Sequence, residues 1–313
     1  MMNNDKILGA LDPELLDEMT TRRGALRGAS LLGAKLALAS APLALAAMAK
    51  EAFGQSTALP AAIVNVLNFA LILEELEAEF YTIATGGMMM SGGTVITNLI
   101  PSRDREIFDT LRDHEQAHVR LLRGVLGAQA VAKPTFDFTG RGAFPTAFTS
   151  YPTFLTLAQA FEDTGVRAYK GQAPILFTAE TPTPSNTFPR RPVLDTALRI
   201  HAVEARHASE VRRLRGIIAG TPEQAPLKGW ITGNQSGGAP AAVYAGEENT
   251  NQGAPPAPAP GINVATLPFP GPGQMAVTPA VAAATAASEA FDEPLTRAQV
   301  VAIVQPFITT TIS

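Results

Sequence analysis

The feature that most constrains this chain is a short spacing that occurs twice. Leu111-Arg112-Asp113-His114-Glu115-Gln116-Ala117-His118 and Ile200-His201-Ala202-Val203-Glu204-Ala205-Arg206-His207 each contain Glu-x-x-His. Along an α-helix a step of three residues returns a side chain to within roughly 60° of its starting direction. Glu115 and His118 therefore share one side of a helix, as do Glu204 and His207. Each pair is preceded by another glutamate at nearly the same distance: Glu74 lies 41 residues before Glu115, and Glu162 lies 42 before Glu204. Each of these is followed seven residues on by a tyrosine, Tyr81 or Tyr169. Two Glu-bearing helices plus two that bear Glu-x-x-His form the inward-facing set with which a four-helix bundle holds two metal ions.

Hydrophobic periodicity supplies the four helices. The first spans about 60–85, with Ile63, Leu67, Ala70, Leu71, Glu74, Ala78 and Tyr81 on one stripe. Glu75 and Glu79 point elsewhere; Glu77 lies one turn on from Glu74, and spacing leaves open whether it joins the ligands. Gly86-Gly87 and Gly92-Gly93 flank Met88-Met89-Met90 and predict a mobile loop. The second helix starts near Ser102, carries Ile107, Leu111, Glu115, His118, Leu122 and Val125, and stops at Gly127. Residues 128–152 read as a long crossing connection. The third helix covers about 153–172, with Phe154, Leu157, Ala158, Glu162, Gly165 and Tyr169, and the five prolines of 173–192 predict a loop. Pro192 suits the first turn of the fourth helix, whose stripe is Val193, Ala197, Ile200, Glu204, His207, Val211, Leu214 and Ile218. Arg199, Arg206, Arg212, Arg213 and Arg215 fall on its other faces and predict a solvated cationic side.

Four glutamates in apolar stripes would repel one another and protonate unless cations joined them. Two divalent ions balance four carboxylates and leave two neutral imidazoles as the remaining ligands. The expected ligands are Glu74, Glu115, His118, Glu162, Glu204 and His207, with Glu115 and Glu204 bridging. The chain has no cysteine, so thiolate sites and iron–sulfur clusters are excluded, and oxygen and nitrogen donors suit Fe or Mn. Open positions on such a pair admit dioxygen or peroxide. Tyr81 and Tyr169, two turns from their glutamates on the same side, either stand just behind the ligands or pack at the bundle ends, and His114, one residue before Glu115, either competes as a ligand or is, like His201, a core or rim histidine.

Outside the bundle, residues 1–56 predict an export segment. Thr21-Arg22-Arg23-Gly24-Ala25-Leu26 resembles the twin-arginine signal, a small-residue apolar run follows, and Ala47-Met48-Ala49 offers a cleavage site. Arg27, Lys35 and Pro42 interrupt the run, so no stable membrane span is expected. The twin-arginine machinery would deliver the folded protein to the periplasm or the exterior. Residues 57–220 hold the bundle. Residues 221–313 form a Pro/Gly/Ala-rich extension, with helices at 281–290 and 296–305 and enough apolar spacing to wrap back on the bundle. With 46% hydrophobic residues the chain can bury a sizeable core, and a formal charge of −4 argues against a nucleic-acid partner.

The bundle resembles the ferritin-like superfamily. Leu67-Asn68-Phe69-Ala70-Leu71-Ile72-Leu73-Glu74, Glu77-Ala78-Glu79-Phe80-Tyr81 and Glu289-Ala290-Phe291-Asp292-Glu293-Pro294-Leu295-Thr296 are similar to its branch of desiccation-related proteins. That resemblance implies an all-α, ferritin-like four-helix bundle with a long crossover between its second and third helices. It also implies a carboxylate-bridged dinuclear centre at the six residues above. The expected function is an exported di-metal oxidoreductase, ferroxidase-like or catalase-like, acting in stress or desiccation. The alternative is a non-enzymatic envelope stress protein with a structural or vestigial metal. A monomer or homodimer is expected rather than a cage, because the crossover and tail would crowd shell contacts.

Overall fold

The structure is a computed structural model that describes residues 59–87, 95–180, 191–218, 228–252, 262–263, 265 and 280–309. The export segment at 1–56, the Met88–Met90 run and the low-complexity stretch at 254–260 lie outside the described residues. Four long helices carry the fold: α1 (Ala61–Ala84), α2 (Arg105–Leu126), α3 (Tyr151–Ala179) and α4 (Pro192–Ile218). The extension contributes α5 (Ala280–Glu289), α6 (Arg297–Val304) and a two-residue antiparallel pair, β1 (Asn251–Gln252) with β2 (Ile262–Asn263). This is the expected all-α, ferritin-like bundle. Among the described residues, no helix is long and apolar enough to cross a membrane.

Helix α1 packs against α2, α3 against α4, and α1 against α3 across the middle. The apolar stripes face inward much as their spacing predicts. On α2, however, Phe108 and Leu126 are buried while Ile107 stays half-buried, so the stripe's ends are shifted by one residue. The core's main aromatic cluster centres on Phe80, whose ring stacks on Phe154 at 4.9 Å and meets Phe161, Phe148 and Phe138 at 5.1, 5.3 and 5.3 Å. Phe138 and Phe148 come from the crossover, so that segment is part of the core.

Helix α3 overturns one expectation. It runs through Pro174 to Ala179, so the first third of the predicted loop is helical. Proline costs a helix its i→i−4 bond, yet Leu176 beyond it is 1% exposed, and burial of that side chain on the bundle offsets the lost bond. Helix α4 corrects another. Arg199 and Arg206 are exposed, but Arg212 and Arg215 are buried. Arg212 pairs with Asp163 at 2.5 Å, and Arg215 donates to Thr156 at 3.0 Å and to Gln159 and the Gly237 carbonyl. The cationic side is solvated only where the extension does not cover it.

The extension does wrap back. Tyr244 donates to Asp163 (2.7 Å) and accepts from Gln159 (2.7 Å), and Arg167 pairs with Glu247 at 2.7 Å. Residues 291–309 then run along α3 and the crossover, with Leu295 N donating to Arg167 O and Thr309 N to Thr135 O. They pass tightly over Gly171, where a Cβ would lie 1.9 Å from the Leu295 carbonyl oxygen. Thr296 caps α6 in a reciprocal arrangement with Gln299, a device worth about 0.5–2 kcal/mol. It fixes the entry of a helix that buries Val300, Ile303 and Val304.

Candidate metal centre

All six predicted ligand residues converge at mid-bundle. Their ligand atoms form two overlapping groups, each within 4.8 Å: Glu74, Glu115, His118 and Glu204, and Glu115, Glu162, Glu204 and His207. Glu115 and Glu204 belong to both. The four glutamates are 0% exposed and His207 4%, while the His118 side chain keeps 11% exposure and gives the cluster an edge toward solvent.

The internal distances are those of a set with too many acceptors. His118 Nδ1 lies 3.0 Å from Glu74 Oε2, 3.1 Å from Glu115 Oε2 and 3.2 Å from Glu204 Oε1. His207 Nδ1 lies 2.8 Å from Glu115 Oε1 and 3.3 Å from Glu162 Oε2, but neither approach has hydrogen-bond alignment. Glu115 Oε1, Glu162 Oε2, both Glu204 oxygens and His207 Nδ1 are buried without a hydrogen-bond partner. Each such orphan costs about 1–3 kcal/mol when nothing replaces the lost water. Five orphaned lone pairs on hard oxygen and nitrogen donors, all within one cluster, fit divalent metal ions.

Electrostatics tell the same story. Burial pushes the Glu74 carboxyl up to about 7 despite His118 beside it. Burial, followed by the charges of Glu115 and Glu74, drives Glu204 well above the usual carboxylate range. Burial also raises Glu162, with His207 opposing. For Glu115, burial acts upward too, but His118 and His207 together outweigh it and hold the carboxyl below its usual range. Burial lowers both imidazoles, and the surrounding carboxylates more than reverse this, so each is well above its ordinary value.

Around these six lies a layer of tyrosine, histidine and glutamate side chains for which spacing left the role open. Of the two readings open for the tyrosines, the structure favours the one behind the cluster, on glutamates of other helices: Tyr81 Oη donates to Glu162 Oε1 at 2.5 Å, and Tyr169 Oη to Glu74 Oε1. The exchange is reciprocal, α1 holding the α3 glutamate and α3 holding the α1 glutamate. The Glu-x6-Tyr spacing, present twice, was the available signal. His114 does not join the ligands; its Nδ1 meets His207 Nε2 at 2.9 Å and its ring stacks on His207 at 5.2 Å. It fixes which nitrogen His207 turns inward. His201 lies apart from both groups, as a rim histidine with a buried Nε2. Glu77 is 2% exposed and belongs to neither group. Burial pushes its carboxyl well above the usual range, and Glu204, Glu162, Glu115 and Glu74 push it further.

No curated protein matches this chain. Residues 62–216, which take in nearly all of the four long helices and every residue of the cluster, match the family described as "Ferritin-like domain", in agreement with the four-helix architecture of that segment.

Proposed function

We propose that the cluster is a dinuclear centre in which Glu74, His118, Glu162 and His207 are terminal ligands and Glu115 and Glu204 are shared. The observation that carries this is the set of five buried, unpartnered ligand atoms. They are out of reach of bulk solvent and have no hydrogen-bond partner in the protein, and divalent cations would supply what they lack. When bound, a pair of Fe or Mn ions supplies the one-electron steps that dioxygen and peroxide chemistry requires. The chain's own residues do the rest. Tyr81 and Tyr169 orient two terminal carboxylates, and His114 orients the imidazole of His207. The aromatic cluster around Phe80 keeps water from that side, which leaves the His118 edge as the approach for small reactants.

The reading is of an exported redox protein that oxidises ferrous ions or removes peroxide under stress or desiccation. Export rests on the Arg22-Arg23 motif and the apolar run behind it; stress protection rests on the sequence resemblance. Purified full-length protein, assayed for metal content, ferrous oxidation and peroxide consumption, tests it. Two equivalents of Fe or Mn with turnover of either substrate are expected. Full metal occupancy with turnover of neither would replace the redox role by a structural one.

A further inference from the structure

On the side of the cluster away from Phe80, the bundle holds two small apolar cavities. The first lies in the seam between α2 and α4, two helices that do not pack closely on each other. Leu122 and Val125 of α2 and Val193 and Ile200 of α4 line it, with Leu67 and Tyr169 from the other two helices. The second lies between α1 and α3, lined by Ala70, Leu73 and Gln172, and it shares Leu67, Tyr169 and Ala197 with the first. On three helices the lining stands four residues from a cluster residue: Ala70 from Glu74, Leu122 from His118 and Ile200 from Glu204, about 6 Å along the axis. Tyr169, the wall common to both cavities, turns its hydroxyl onto Glu74.

Size and lining select the occupant. Each cavity has a volume of about 20 Å3. Roughly 10–15 Å3 admits one water-sized molecule, so neither cavity accepts a chain or a ring. A buried water needs about two to four polar partners. In the first cavity Thr196 spends its hydroxyl on the Pro192 carbonyl at 2.8 Å, and Tyr169 spends its own on Glu74. In the second, Gln172 is the only further polar side chain of the lining. Water and hydrogen peroxide therefore lose hydrogen bonds on entry, and an apolar molecule of two atoms loses none. We propose that these cavities take up dioxygen and hold it beside the dinuclear centre, which makes dioxygen, rather than peroxide, the centre's reactant. Polar species keep the His118 edge. The inference rests on the dinuclear reading and names the reactant of that same site.

Xenon, compact and apolar, is the probe, because its binding does not depend on metal. In xenon-pressurised crystals of the full-length protein, xenon is expected in both cavities. Ala197→Leu enlarges a side chain that lines both and is expected to exclude xenon from both. Thr196→Leu, at a half-buried position that tolerates bulk, fills the first alone and decides the matter if Ala197→Leu does not fold. In ferrous oxidation by the metal-loaded protein, both variants are expected to need more dioxygen than the wild type for half-maximal rate, at equal metal content. Wild-type crystals with xenon in neither cavity overturn the proposal and leave the metal pair untouched. Xenon lost from a folded variant with no change in its dioxygen dependence puts the cavities off the route and overturns it as well. A metal-loaded wild type that consumes peroxide but does not react with dioxygen refutes dioxygen as the reactant, again with the pair intact. A wild type that binds no metal removes the dinuclear reading, and this one with it, whatever xenon does.

Discussion

Gly171→Ala sets two physical effects of opposite sign against each other. Alanine in a helix interior is favoured over glycine by about 1 kcal/mol, so propensity alone predicts a more stable protein. Packing predicts the reverse. The new methyl would lie 1.9 Å from Leu295 O and 3.0 Å from Leu295 C, both backbone atoms that no rotamer change can move. Relief requires the strand of chain at 293–295 to retreat by roughly 1.5 Å, to ordinary contact distance. That breaks the 3.1 Å bond from Leu295 N to Arg167 O and the 2.7 Å bond from Arg167 Nε to Glu293 O, and it disturbs Lys170 on Asp292 O. Two hydrogen bonds, one at the buried Leu295 and one part-buried at Glu293, cost about 2–6 kcal/mol when lost without replacement, from which the propensity gain is subtracted. The expected net loss is about 1–5 kcal/mol, read as an earlier urea midpoint. Helical circular dichroism follows the bundle, and fluorescence of the single Trp230 follows the extension. A variant as stable as the wild type, or more so, would refute the claim that the extension is seated against Gly171.

Three further outcomes are expected. Arg212→Ala leaves Asp163 buried without its cation and should cost about 3–5 kcal/mol in urea unfolding; a loss under 1 kcal/mol would show that the pair is solvated. Tyr81→Phe and Tyr169→Phe each release a buried cluster carboxylate from its hydrogen bond; each should destabilise the metal-free protein by about 1–3 kcal/mol and weaken metal binding about 10–100-fold by chelator competition. Unchanged affinity in both would return the tyrosines to simple packing. Glu247→Gln tests the extension's buried pair through pH. Burial raises Glu247 from 4.5 to about 7 against the pull of Arg167. A carboxyl raised in the folded state contributes stability that is whole below pH 4.5 and is lost as pH rises through 7. The melting temperature of Glu247→Gln relative to wild type should therefore rise between pH 5 and pH 8, and a difference that is flat or falls would contradict the burial of that carboxylate.

The six clustered residues were legible because a helix fixes direction from spacing alone. Glu74, Glu115, Glu162 and Glu204 each occupy a slot in an apolar stripe, and such a slot faces the interior wherever the bundle closes. What the spacing could not supply was the register between helices. Tyr81 and Tyr169 lie seven residues from their own glutamates, about 10 Å along the axis, and only antiparallel packing brings each to the glutamate of another helix. Arg212 and Arg215 failed for a related reason. Their stripe is polar, and what buries them is Tyr244 and the Gly237 carbonyl, from a segment with no periodic signal. Pro174 marks the limit of local rules, since a breaker was outweighed by the burial of Leu176 two residues on.

The proposed centre holds two ions between buried carboxylates. Elemental analysis of the full-length protein, reconstituted with Fe(II) or Mn(II) and compared with His207→Ala and Glu204→Ala, addresses that directly. Two tightly held ions per chain in the wild type, and a sharp loss in both variants, are the predicted result. Wild-type protein that retains no metal, or variants that retain as much as the wild type, would contradict it.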